Sequence, residues 1–219
     1  MVLNNYRKQA DVLLIPLSKP FRNVNPDTLT WIAFISAILA GISFFLSSES
    51  SIFLLIAFVF VLSNAFFDAM DGRIAKLRGI ASERGDFLDH VLDRYADAFM
   101  LGGITFSAYC RDWIGILAML GVIFASYMGT QAHAVGAGRD YGGILGRADR
   151  LVFLMVFPII QFFSDIFGFS LNIYGFSTNF LELMMIWFAL AGHITALQRA
   201  HRAWRWLSQR KFEEFSRKR

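Results

Sequence analysis

Charge is scarce in this chain. Asp, Glu, Lys and Arg make up 17% of its 219 residues, against about 25% in a soluble domain. That shortage excludes an ordinary water-facing surface. Cysteine is nearly missing: Cys110 stands alone, so no intramolecular disulfide can form, and no His/Cys set has zinc-ligand spacing. There is no internal repeat and no low-complexity tract. The start is not that of a cleavable signal, because the apolar stretch at 12–17 is short and no small-residue cleavage site follows it. What is abundant is apolar surface. Hydrophobic residues reach 56% and the mean hydropathy is +0.48, which predicts an all-α polytopic membrane protein.

A bilayer core needs about 20 apolar residues as helix. Six segments are candidates: 29–46, 52–67, 87–109, 113–135, 151–167 and 181–197. The third carries Asp89, Asp93, Arg94 and Asp97, and Pro158 is expected to kink the fifth. Asn25-Pro26-Asp27-Thr28 reads as a helix start. Residues 3–17 mix apolar side chains with Arg7, Lys8 and Asp11, and read as a helix lying in the interface.

Basic residues are distributed unevenly. Arg7, Lys8, Lys19 and Arg22 precede the first segment, and Arg73, Lys76, Arg78 and Arg84 separate the second from the third. Arg139, Arg147 and Arg150 lie between the fourth and fifth, and a basic tail occupies 199–219. The alternate loops hold only Arg111. The positive-inside rule therefore puts both termini and the basic loops in the cytoplasm. The net charge of +4 flanks apolar segments, so anionic lipid headgroups are the expected partner and nucleic acid is not.

Four carboxylates break the apolar pattern at Asp68, Asp71, Asp89 and Asp93. Residues three or four apart share a helix face. Asp68 and Asp71 therefore project together from the end of one segment, and Asp89 and Asp93 from the start of the next. A turn around Gly79 and Gly85 would bring the two pairs side by side. Ionisable groups at membrane depth are costly and usually functional. Two divalent cations would balance four carboxylates, and oxygen-only ligands favour Mg²⁺, Mn²⁺ or Ca²⁺. The competing explanation is an ion-pair cluster with Arg73, Lys76, Arg84 or Arg94.

Asp68-x2-Asp71-Gly72-x2-Ala75-Lys76, then eight residues, then Gly85-x3-Asp89-x3-Asp93 resembles the signature of the CDP-alcohol phosphatidyltransferases. One fixed position departs: Lys76 stands where the pattern has Arg. The resemblance implies a single membrane domain over 1–219 that transfers a phosphatidyl or archaetidyl group from a CDP-lipid to a small alcohol, releasing CMP. It implies two divalent cations, Mg²⁺ or Mn²⁺, on Asp68, Asp71, Asp89 and Asp93, with Asp93 also the base. It implies nucleotide or CDP-lipid contacts at Gly72, Ala75, Lys76, Ser82 and Gly85, and at Asp27 and Thr30. The donor would be CDP-diacylglycerol or CDP-archaeol, and the protein a homodimer.

Arg147-Ala-Asp-Arg150 is similar to an element that grips the acceptor phosphate in inositol-phosphate-using relatives, so Arg139, Arg147 and Arg150 are the expected acceptor clamp. Unlike those relatives, the end of the fourth segment, 126–133, carries no Lys or Arg. A polyol phosphate such as glycerol phosphate or inositol phosphate is the expected acceptor. Asp97 is expected to support the cluster or pair with an Arg, Asp86 to pair with Arg84 or face water, and Arg94 to neutralise a neighbour. His90, His133 and His193 read as structural, and Glu182 as hydrated or interfacial. The rival reading is a divalent-cation transporter. A purely structural membrane protein is the remaining one.

Overall fold

A computed structural model of the chain describes residues 16–173 and 176–217. Residues 3–15 of the expected interfacial helix lie outside that range, and 16–18 are helical. Helix α1 is Pro26–Leu46. The Asn25 side chain caps it by accepting the Asp27 N–H at 3.1 Å, and Pro26 takes a first-turn position where its missing N–H costs nothing.

Helix α2, Ile52–Leu77, runs ten residues beyond the expected apolar segment, so its end is polar. It stops in a Schellman turn: Ile80 N–H reaches the Ala75 carbonyl at 3.0 Å and Gly79 N–H the Lys76 carbonyl at 3.2 Å. Gly79 supplies the left-handed residue at φ 65°. Helix α3, Glu83–Thr105, then begins with Ser82 as cap. Its hydroxyl accepts the Gly85 N–H at 3.2 Å. Gly85 is therefore inside the first turn of α3, and only Gly79 makes the turn.

Helix α4 is Asp112–Ala134 and α5 is Arg147–Ile166. The α5 helix contains Pro158 and is continuous through it. A short antiparallel hairpin follows, β1 Leu171–Ile173 with β2 Phe176–Thr178. It is a small departure from the all-helical expectation. Helix α6, Phe180–Arg217, absorbs the basic tail into one long helix.

The protein is an all-α membrane protein apart from that hairpin. Among the described residues, α1, α2, α4 and the 180–210 part of α6 are long and apolar enough to cross a bilayer. Helices α3 and α5 carry part of their charge in the bundle interior, where Asp93, Asp97 and Arg150 are buried. Helix α1 packs on α2 and α3, α2 on α5, α3 on α4, and α4 and α5 on α6.

Small residues set the closest approaches. A Cβ on Gly103 would lie 2.8 Å from Gly41 Cα, so α1 and α3 touch backbone to backbone there. Gly192 makes the same approach to Gly121 between α4 and α6. The apolar faces left exposed, such as Trp31, Ile35 and Ile42 on α1, are surface for lipid.

One end of the bundle is closed by polar bonds. Arg111 donates to both Glu182 oxygens at 2.8 and 2.9 Å, and Thr178 donates to the same carboxylate at 2.9 Å. Glu182 is thus buried and fully partnered rather than hydrated. Tyr109 donates to Asp165 at 2.5 Å.

Gly103→Ala is expected to lower the apparent Tm in detergent, because overpacking a close helix contact costs about 1–3 kcal/mol. Gly72→Ala, where a Cβ meets nothing within 4 Å, is expected to leave Tm unchanged. Thermal unfolding of both variants checks the pair.

Candidate active site

The end of the bundle opposite Glu182 brings together the C-terminus of α2 with the N-terminal halves of α1, α3 and α5. Asp68 and Asp71 come from α2, one turn apart on one face. Asp89 and Asp93 come from α3 with the same relation. The turn at Gly79 sets the helices antiparallel, and carboxylate oxygens of Asp68, Asp71 and Asp89 lie within 4.8 Å of one another. Asp89, His90 and Asp93 form a second such group that shares Asp89. The expected convergence is therefore present. His90 in that group also lies 3.7 Å from Asp86.

Positive charge stands among these acids, from Arg94 of the expected ion-pair set and from Arg147 outside it. Arg147, at the start of α5, donates to Asp68 at 2.7 Å and also to Asp93. Arg94 lies 3.5 Å from Asp93 and 3.7 Å from Asp97. Arg150, one turn deeper on α5 and 4% exposed, donates to Asp97 at 2.8 Å. Asp86 is exposed, as one of its two expectations has it, and pairs with Arg139; Arg84, the partner in the other, faces Asp27 at 3.6 Å. The three loop arginines are thus brought to the cluster or its rim, each on a carboxylate.

The nucleotide candidates flank the same place. Thr30 Oγ1 donates to Asp71 at 2.7 Å, tying α1 to α2. Asp71 also accepts the Gly72 N–H. Asp27 approaches Gly85, since a Cβ there would be 4.0 Å from its Oδ1. Gly72 and Lys76 are exposed, Ala75 is half-buried, and Ser82 is spent on its cap bond.

The loop between α4 and α5 is held on α6. Arg199 donates to the Ala125 carbonyl at 2.6 Å and the Gly142 carbonyl at 2.8 Å. Thr195 accepts the Leu145 N–H at 3.0 Å. Partial burial works against the Asp140 carboxylate, but Arg202 and the Gly142 N–H hold it below its usual pKa. The bond to Asp86 raises the Arg139 guanidinium above its ordinary value. These contacts place Arg139 and Arg147. Arg199 was legible only as part of a basic tail.

The donor set fits a hard divalent cation. It is all oxygen, as Mg²⁺ and Mn²⁺ prefer. Arg147 stands on Asp68 and Asp93, and Arg94 beside Asp93. Asp89 Oδ1 is buried and has no hydrogen-bond partner among the described residues. His133 is exposed, and His193 lies against Phe124 with ring centroids 6.2 Å apart, so neither joins the site.

The CDP-alcohol phosphatidyltransferase family model matches residues 23–196. The chain is 32% identical over 133 residues to an archaetidylinositol phosphate synthase of Pyrococcus horikoshii, covering 61% of this chain and 68% of that one. In fold it is similar to the phosphatidylinositol phosphate synthase of Mycobacterium tuberculosis. The crystal structure of that enzyme with CDP-DAG bound gives a TM-score of 0.64 at 22% identity, over 86% of this chain and 92% of the other. Its complex with manganese and citrate gives 0.64 at 24% identity, over 86% and 88%.

Arg147→Gln is expected to lower the metal-free Tm, by about 3 kcal/mol of stability, because it leaves close carboxylates without their guanidinium. Millimolar Mn²⁺ is expected to restore most of the loss. A thermal shift series with and without Mn²⁺ checks this.

Proposed function

The chain belongs to the CDP-alcohol phosphatidyltransferase family, and we propose that it transfers a phosphatidyl or archaetidyl group from a CDP-lipid to a polyol phosphate, releasing CMP. The observation that carries this reading is the convergence of Asp68, Asp71, Asp89 and Asp93 beside Arg147 at one end of the bundle. That the acceptor is inositol phosphate is supported by the names of the relatives and by the loop arginines; glycerol phosphate is the other candidate.

Asp68, Asp71, Asp89 and Asp93 would hold two divalent cations, Mg²⁺ or Mn²⁺, which supply electrostatic stabilisation of charge on the pyrophosphate. The chain's own side chains do the rest. Gly72, Ala75, Lys76, Ser82 and Gly85, with Asp27 and Thr30, line the nucleotide side. The backbone at Gly72 is open, so a phosphate or ribose can approach it closely. Asp93 takes the proton of the acceptor hydroxyl. That oxygen then bonds to the lipid-side phosphorus, and the phosphorus–oxygen bond to CMP breaks. Arg139, Arg147 and Arg150 serve the acceptor phosphate. Arg147 would exchange a carboxylate for that phosphate, to which a guanidinium binds bidentately.

In the membrane, all six helices would span the bilayer, α3 and α5 with their charges turned inward. The termini and the site would face the cytoplasm, with the lipid tails entering sideways. The whole chain would be one domain and the working unit a homodimer. A cation transporter is disfavoured because the carboxylate cluster sits at one end of the bundle, while Glu182 at the other end is occupied by Arg111.

CMP release by purified protein with CDP-diacylglycerol or CDP-archaeol, Mg²⁺ or Mn²⁺ and a panel of acceptors tests the reading. Acceptor-dependent release is expected, with Asp93→Asn reducing kcat at least 10³-fold. Release independent of any acceptor, or untouched by Asp93→Asn, would contradict it. In the same assay Arg150→Ala is expected to raise the acceptor KM more than the CDP-lipid KM, and Lys76→Arg to remain active. Equal KM effects of Arg150→Ala would remove this arginine from the acceptor clamp.

A further inference from the structure

Asn64 lies on α2 one turn before Asp68, on the same helix face. It is 2% exposed, inside a run that is otherwise mostly apolar. Its Nδ2 donates to the Ala33 carbonyl of α1 at 2.9 Å. That bond fixes which end of the amide is which, because a carbonyl accepts only from the NH₂ group. The Oδ1 is left with no hydrogen-bond partner among the described residues. A buried acceptor without a donor is destabilising, and an apolar side chain in its place would not be.

The pocket that Asn64 lines explains the residue. Thr30, Phe34, Asp68, Asp89 and Asp93 line it too, and Asp89 has an unpartnered oxygen of its own. The Thr30 hydroxyl is already given to Asp71. The polar residues lining the pocket are Thr30, Asn64 and three aspartates, so acceptor oxygens predominate among them. Its complement is a cation, or the hydrogen-rich waters around one, and not an anion.

We propose that Asn64 Oδ1 is a neutral oxygen partner in the coordination sphere of the cation held by Asp68, Asp71 and Asp89, reached directly or across one of its waters. The proposal rests on the cation-binding reading above. An amide oxygen suits this place because it adds a ligand or water acceptor without a fifth negative charge. Asn64 also couples the cation to α1, since the same amide holds Ala33.

Mn²⁺ binding to the detergent-solubilised full chain, followed by electron paramagnetic resonance without any lipid substrate, tests it. Asn64→Leu removes both ends of the amide. Asn64→Asp keeps the oxygen and loses the Ala33 bond. Asn64→Leu is expected to weaken Mn²⁺ about 10–100-fold, the usual loss when a supporting ligand partner is removed. Asn64→Asp is expected to bind Mn²⁺ at least as tightly as the wild type. Unchanged affinity in Asn64→Leu would overturn the proposal. So would weakened binding in Asn64→Asp, which would mark the Ala33 bond as the whole role. If Asn64→Leu fails to fold, Asn64→Asp decides alone. Wild-type protein without Mn²⁺ affinity would overturn the cation reading and this inference with it. Binding lost in Asp68→Asn but intact in Asn64→Leu would overturn this inference only.

Discussion

Four carboxylates cannot share one site unless positive charge stands among them, and this repulsion organises the end of the bundle that holds them. Asp68 and Asp71 on α2 face Asp89 and Asp93 on α3 across a few ångströms. Arg147 is the counter-charge the chain itself supplies, bridging the α2 pair to the α3 pair. It comes from α5, so the cluster needs α5 placed. The α4–α5 loop must therefore be held, which Thr195 and Arg199 of α6 accomplish. The same arrangement leaves Asp89 Oδ1 without a hydrogen-bond partner among the described residues, where a divalent cation would fit.

Stability and function pull on the same groups. An ion pair that is partly buried gives little net stability, because desolvation offsets the attraction, yet removing one partner is destabilising. Arg147 in this position keeps the acids apart from one another and leaves their oxygens near an approach route. The two bundle ends differ in this respect. At the Arg111–Glu182 end both Glu182 oxygens have donors, and the bonds close the structure. At the Asp71 end the buried Asp89 Oδ1 and Asn64 Oδ1 have no hydrogen-bond partner among the described residues.

Much of this was legible in the residues, because it depends on local periodicity. The i,i+3 and i,i+4 spacing of the aspartates, the glycine at the turn and the apolar segments all translate directly into helices and faces. What was not legible depends on distant pairing. The sequence reading offered Arg73, Lys76, Arg84 and Arg94 as counter-charges, since they are near in the chain. Arg94 does stand by Asp93, but the bridge between the two pairs is Arg147, 79 residues from Asp68. Glu182 reads as exposed at the start of a helix, and only the return of α4 shows Arg111 closing on it. Helix ends were underestimated where polarity rises before the helix stops, at 68–77 and again beyond 197. Asn64 carried a signal that went unused: a lone amide on the Asp68 face, one turn towards the apolar interior.

The central claim is that carboxylates from two helices act on one cation. A double-mutant cycle between Asp68→Asn on α2 and Asp89→Asn on α3, read as the Tm increase on adding Mn²⁺, tests it most directly. The account predicts strong non-additivity, with either single substitution removing most of the Mn²⁺ effect and the second adding little. Losses that simply add would contradict it, since they would mean the two carboxylates serve separate sites.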